Sequence, residues 1–307
     1  MNTRIFLPLL LGALLLGGIA GQSRADILYV ANSGSSTIEK FTSSNNGSVF
    51  ASSGLSGPFG LAFDSARSLY AANLVNNTIE RFTPAGVGSL FASGLSLPGG
   101  LAFDSAGNLY VSNTGDRTIL KFTPGGSRSV FASIPSVPIG YGLAFDRAGN
   151  LYVPESSFII EKFSPTGTDL GIFASNGVDS PHSLAFDAAG NLYASNQGNS
   201  TIEKFSATGT DLGPFVSGIF QPAGLAFDSA GDLYVANNNA INKYTPSGSG
   251  SFYALDAGNP EFLAFTNDAG VPLPLANQAP EPATCALLLL GGLGMLAARR
   301  QRDRHKS

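Results

Sequence analysis

The sequence predicts an all-β fold, a six-bladed β-propeller with four strands per blade, on three observations. Leu-Ala-Phe recurs six times, at Leu61, Leu101, Leu143, Leu184, Leu225 and Leu263, at intervals of 38 to 42 residues. Each period holds four short runs rich in β-branched and aromatic side chains, bounded by turn formers. The chain also carries 38 Gly and 18 Pro with only 12% charged residues, a mix that suits many tight reversals rather than long helices. Four strands per period of about 40 residues is the pattern of propeller blades, whereas a helical solenoid of that period needs amphipathic stretches of ~10–15 residues. The sequence contains no such stretch.

The elements follow in chain order. Arg4, an apolar run from Ile5 to Ala20 and small residues at Ser23 and Ala25 form a signal peptide over residues 1–25, with cleavage expected before Asp26. The propeller is expected over 26–269. Its first strand, Leu-Ala-Phe, is followed by Asp in five copies (Asp64, Asp104, Asp146, Asp187, Asp228) and by Thr266 in the sixth. That Asp precedes Ser-Ala-Gly-Asn or a close variant, where its carboxylate suits an Asx-type turn. The second strand is Leu-Tyr-Val-Ala-Asn or similar, starting at Leu28, Leu69, Leu109, Leu151, Leu192 and Leu233. The third, Thr-Ile-Glu-Lys-Phe, reads as apolar residues against the neighbouring blade with Glu and Lys facing out. A run such as Ser-Val-Phe-Ala-Ser closes the unit. The body begins on a second strand, Ile27 to Asn32, and ends on a first strand, Leu263 to Thr266. The last strand therefore completes the blade that the N-terminus opens, which ties the ring shut and leaves no gap between first and last blades.

Gly-Leu-Ala-Phe-Asp, Ala-Gly-Asn-Leu-Tyr-Val-Ala-Asn and Thr-Ile-Glu-Lys-Phe together resemble the NHL-repeat and senescence-marker/gluconolactonase-like propellers over roughly residues 26 to 269. The resemblance implies the fold; such a fold hosts many activities. In the gluconolactonase-like enzymes, carboxylate and amide ligands at the entrance of several channel strands hold a divalent cation. The matching positions here are Phe59, Gly99, Tyr141, His182, Ala223 and Glu261, of which only His182 and Glu261 can ligate. A hard cation wants about six to eight oxygens, so neither a metal site nor a cofactor is expected.

Beyond a Pro-containing linker over 270–279, residues 280–307 read in three parts: Pro280-Glu281-Pro282, an apolar segment from Ala283 to Ala298, and a basic end that includes Arg299 and Arg300. This order resembles a PEP-CTERM sorting signal. The resemblance implies recognition by an exosortase, processing near the Pro-Glu-Pro motif and an extracellular-polysaccharide setting. Arginines retained on the cytoplasmic side leave the propeller outside the inner membrane, at the cell surface or beyond it, with the C-terminal segment as a transient transmembrane anchor.

Residues 26–279 carry 10 Lys and Arg against 19 Asp and Glu, a net charge of about −9. An acidic body without a basic run excludes a nucleic-acid partner, since phosphate contacts need clustered Lys and Arg. The single cysteine, Cys285, lies in the tail, so the body has no internal disulfide. The candidate binding face is Phe59, Tyr141, Glu155, His182 and Glu261, where first strands begin and second strands end. Five second strands end on Asn (Asn32, Asn73, Asn113, Asn196, Asn237), which suits local capping, and Glu155 breaks the series. Phe59 and Tyr141 suit stacking on sugars. No nucleophile elbow, phosphate loop or cysteine–histidine pair occurs, and no catalytic residue is assigned. The expected function is a binding or scaffolding module for extracellular polysaccharide or a surface protein. The alternative is a metal-assisted lactonase or related hydrolase using Glu155, His182 and Glu261.

Overall fold

The computed structural model describes residues 26–134, 139–156, 158–255 and 258–266. The signal peptide, linker and sorting tail expected at the two ends lie outside the described residues. The described chain forms six four-stranded antiparallel sheets, five of them ordered from the axis outward along the sequence. One blade is composite: Pro260–Thr266 is innermost, followed outward by Ile27–Asn32, Thr37–Phe41 and Gly47–Ala51. Around the ring from this closing blade come blade one (58–92), blade two (98–133), blade three (144–174), blade four (181–217) and blade five (222–255). The fold and its mode of closure are those the repeat predicts. Ile27 pairs with Thr266 and Asn32 with Pro260.

Alternation within each strand decides what packs. The second-strand tyrosines face the next blade, and each sits edge-on between two rings. Tyr110 lies 4.9 Å from Phe131 of its own outer strand and 4.9 Å from Phe145 of blade three, both near perpendicular. Tyr29, Tyr70, Tyr152, Tyr193 and Tyr234 repeat the arrangement. Edge-to-face pairs add ~0.5–1.5 kcal/mol each beyond the area they bury, so the blades are stitched at every junction.

The Asp after Leu-Ala-Phe works as a local clamp. Asp104 Oδ1 accepts the backbone N–H of Ala106 and Asn108, and its Oδ2 accepts from the Asn108 amide and the Tyr110 hydroxyl. Asp146 and Asp187 repeat this set.

Two local features depart from the repeat. The innermost strand of blade three shrinks to Ala144–Phe145. Pro154 in the next strand has no N–H to give, so the ladder breaks there, and Gly140 N–H turns to the Pro154 carbonyl instead (2.6 Å). The third-strand glutamates do not all face out: Glu80 and Glu203 are 8% and 4% exposed. The loop leaving the preceding blade covers Glu80 at Gly54, and in blade four the corresponding loop meets Asp211 beside Glu203 through Asn176 and Gly177, contacts between blades that strand alternation alone does not reveal.

Candidate functional site

One face of the disc collects the starts of the innermost strands and the ends of the second strands, paired as Pro58 with Asn73, Pro98 with Asn113, Pro181 with Asn196 and Pro222 with Asn237. Three of these side chains, Asn73, Asn113 and Asn196, lace the incoming loop to the second strand. Asn73 Oδ1 accepts the Ser56 N–H, while its amide donates to the Gly54 carbonyl and the Thr78 hydroxyl. Asn113 and Asn196 make corresponding contacts. These residues set the shape of the face and are occupied in doing so.

At the centre of that face the channel is filled. Phe59 of blade one touches Tyr141 of blade three (4.5 Å between ring centroids), His182 of blade four (5.5 Å) and Phe262 of the closing blade (5.6 Å). His182 completes the cluster at 5.1 Å from Tyr141 and 5.9 Å from Phe262. Phe59, His182 and Phe262 are buried, while Tyr141 is part-exposed and forms the outer surface of the plug. Gly99 makes room for it, since a Cβ there would lie 2.6 Å from the Tyr141 ring.

Phe262 was not among the sequence candidates. It occupies the position of Gly60, Gly100, Gly142, Ser183 and Gly224, the five small residues where neighbouring innermost strands touch. Its departure from that small-residue series was the available signal.

Glu261 lies beside the plug. Its Oε1 accepts from Ser33 Oγ at 3.0 Å and from Asn259 Nδ2 at 2.7 Å, and Asn259 also donates to Ser33 Oγ. Burial pushes this carboxyl upward, and the Ser33 and Asn259 hydrogen bonds oppose the shift. Burial and the Glu261 charge both raise the Tyr141 phenol. Burial lowers His182 to about 4, so its imidazole is neutral at pH 7. The 3.9 Å separation between His182 Nε2 and Glu261 Oε2 is therefore a polar contact rather than an ion pair.

Glu155 is 2% exposed at the end of its strand, where Ile139 bridges to it. Among the described residues no three His, Cys, Asp or Glu side chains gather as a metal-holding group, so Glu155, His182 and Glu261 are not brought together in that way. The structure does assemble Phe59, Tyr141, His182 and Glu261 at the mouth, and it adds Ser33, Asn259 and Phe262. The resulting surface is a part-exposed phenol and a hydrogen-bonded carboxylate over an apolar plug. Such a surface can stack against a ring and accept hydrogen bonds from hydroxyls.

Residues 278–302 match the PEP-CTERM protein-sorting motif. No curated protein matches the chain. Among solved structures, the nidogen/laminin complex is similar at a TM-score of 0.70 and 19% identity, covering 78% of this chain and 98% of that one. A gluconolactonase from Xanthomonas campestris is similar at a TM-score of 0.59 and 18% identity, covering 68% and 82%. Virginiamycin B lyase from Staphylococcus aureus follows at 0.56 and 16%, covering 68% and 77%. At these identities the likeness is one of fold. The C-terminus thus carries a sorting motif of exported proteins, and the body is a propeller shared by binding proteins and enzymes alike. Among the described residues no helix is long and apolar enough to cross a membrane.

Proposed function

We propose that the chain is an exported, surface-sorted propeller that acts as a binding or scaffolding module, with extracellular polysaccharide as its ligand and the mouth of the channel as its contact surface. In this reading the signal peptide leaves before Asp26, the propeller spans 26–269, and 270–279 link it to the tail at 280–307. An exosortase reads Pro280-Glu281-Pro282 with Arg299 and Arg300, and the C-terminal segment anchors the chain until processing.

The observation that carries the binding role is the plugged mouth. Rings from four blades close the axis, Tyr141 presents part of its surface, and Glu261 is fixed beside it by Ser33 and Asn259. A sugar stacked on Tyr141 would give its hydroxyls to Glu261 with little further ordering of the protein, which lowers the entropic cost of binding. The test is binding of the purified full-length protein to polysaccharide extracted from the producing cells. Saturable binding weakened about tenfold by Tyr141→Ala and by Glu261→Gln supports the reading. Absence of binding to every extracted polymer, or turnover of a sugar lactone lost in Glu261→Gln, would overturn it.

A further inference from the structure

The clefts before blades one, two, four and five, whose bounding loops lie among the described residues, are built alike on the outer rim and can be compared position by position. Each is bounded by a residue in the loop leaving the preceding blade, by the third residue of the Thr-Ile-Glu-Lys-Phe strand, and by the first residue of the outer strand. In blade one these are Gly54, Glu80 and Gly88, and a Cβ on Gly54 would lie 3.0 Å from the Glu80 carboxyl carbon. In blade four they are Gly177, Glu203 and Asp211, and a Cβ on Gly177 would lie 2.8 Å from Asp211 Oδ2. Internal carboxyl groups fill both clefts.

Blade two departs at two of the three positions. Leu120 stands where Glu80 and Glu203 stand, and Arg128 stands where Gly88 and Asp211 stand; the registers Leu120–Val130 and Phe122–Arg128 match Glu80–Leu90 and Phe82–Gly88. A Cβ on Gly94 would meet nothing within 4 Å, and a cavity of about 300 Å³ opens there. Gly218 of blade five also faces open space, but Asn242 turns to Asn237 and Gly250 brings no charge. Only blade two, among the described clefts, combines open space with a guanidinium.

The lining has three kinds of surface. Buried Leu120 and exposed Val130 give an apolar floor. Arg128 donates one N–H to the Gly94 carbonyl at 3.2 Å, and no carboxylate among the described residues lies within ion-pair distance of it. Its planar fork fits an incoming carboxylate in a bidentate pair. Asp116, held by the Asn113 amide at 2.9 Å, is an acceptor for hydroxyls. A plain carboxylate would meet Asp116 unfavourably, whereas a hydroxylated ring bearing one carboxylate uses both groups, and the cavity volume sits at the small end of ligand sites.

We propose that the blade-two cleft is a second binding site, which takes a hexuronate with its carboxylate on Arg128, its ring on Leu120 and Val130, and its hydroxyls on Asp116. The site is separate from the channel mouth and does not rest on the function proposed there.

Calorimetric titration of the purified full-length protein with glucuronate, galacturonate and mannuronate tests the site, with glucose and acetate as controls. At least one uronate binds saturably with a Kd on the order of 1 mM, and glucose and acetate bind about tenfold more weakly or not at all. Arg128→Ala weakens binding about tenfold or more. Leu120→Glu restores the residue of blades one and four, fills the cleft beside Arg128 and abolishes binding; a far-UV circular-dichroism spectrum matching the parent's excludes unfolding as the cause. Tyr141→Ala leaves uronate binding unchanged. The site is disproved by saturable binding of none of the three uronates, or by glucose or acetate binding as tightly in a manner lost in Arg128→Ala. Binding that survives both cleft variants, or that is lost in Tyr141→Ala, overturns it equally.

Discussion

Phe59 and His182 come from blades on opposite sides of the ring, and their ring centroids lie 5.5 Å apart across the axis. The propeller is therefore braced through its middle as well as stitched around its circumference. Truncating Phe59, which is 6% exposed, removes the ring that touches the other three. Phe59→Ala is expected to cost ~3–5 kcal/mol, read as a lower urea midpoint at unchanged slope. A loss below ~1 kcal/mol would mean that the plug contributes nothing to the ring.

His182 makes stability depend on acid. Its folded-state value of about 4 lies below the ordinary 6.5, so the unfolded chain takes up the proton first as pH falls. The contribution is complete above 6.5 and is lost as pH drops toward 4, by on the order of 3 kcal/mol. His182→Phe should flatten the acid side of a plot of melting temperature against pH. An unchanged acid slope in that variant would show that another group titrates there.

Glu203 works in the opposite direction. Burial comes first, then the neighbouring Asp211, and together they raise its carboxyl from 4.5 to about 7. The folded state therefore holds this proton more tightly than the unfolded state. Its contribution is complete below 4.5 and is lost as pH rises through 7. Glu203→Gln should melt higher than the parent at pH ~8, with the difference shrinking toward pH ~5. A gap that does not change with pH would mean that the two carboxyl groups do not share a proton.

Neighbouring innermost strands approach too closely at Gly100 to admit a side chain, because a Cβ there would run into the Tyr141 carbonyl oxygen. Gly100→Ala should cost about 3 kcal/mol. Gly125→Ala, in a turn where the nearest atom is 3.8 Å away, should be within ~0.5 kcal/mol of the parent. Equal denaturation midpoints for the two variants would contradict the close approach.

The Asn residues that end the second strands differ in what they hold. Asn73 is fully buried with three hydrogen bonds, whereas the Asn237 carboxamide accepts one from Asn242. Asn73→Ala is expected to cost ~2–3 kcal/mol and Asn237→Ala under ~1 kcal/mol, again by urea titration. The reverse order would assign the loops to some other restraint.

Strand positions, blade number and closure were all legible in the sequence, because each blade repeats one pattern and a period of two assigns the faces. What needed coordinates were relations between repeats. Glu80 reads as outward-facing because its cover comes from Gly54, 26 residues earlier, and Glu203 because its partner is Asp211 of the outer strand. Blade three kept its Leu-Ala-Phe, yet Pro154 and Gly140 remove most of the ladder that would make it a full strand. At the mouth, the sequence brought forward Phe59, Tyr141, His182 and Glu261 from their shared register. It missed Phe262, one step along the same strand, because the other five blades carry a small residue at that position. Glu155 stood out as an irregularity, and the coordinates place it in a buried wall rather than on the open surface.

The closing strand also sets how the disc answers a pull. The first and last strands of the ring begin and end at paired residues, Ile27 and Thr266, on the face opposite Glu261 and Tyr141. The sorting motif at 278–302 lies downstream of Thr266, so a tether there would tug on one pole while a ligand at the mouth, as proposed, would tug on the other. Tension then runs lengthwise along Pro260–Thr266. Its six registered pairs with Ile27–Asn32 take that force in shear, all at once, instead of peeling open singly. A ring fastened this way would meet drag at its seam with every pair of that ladder loaded together.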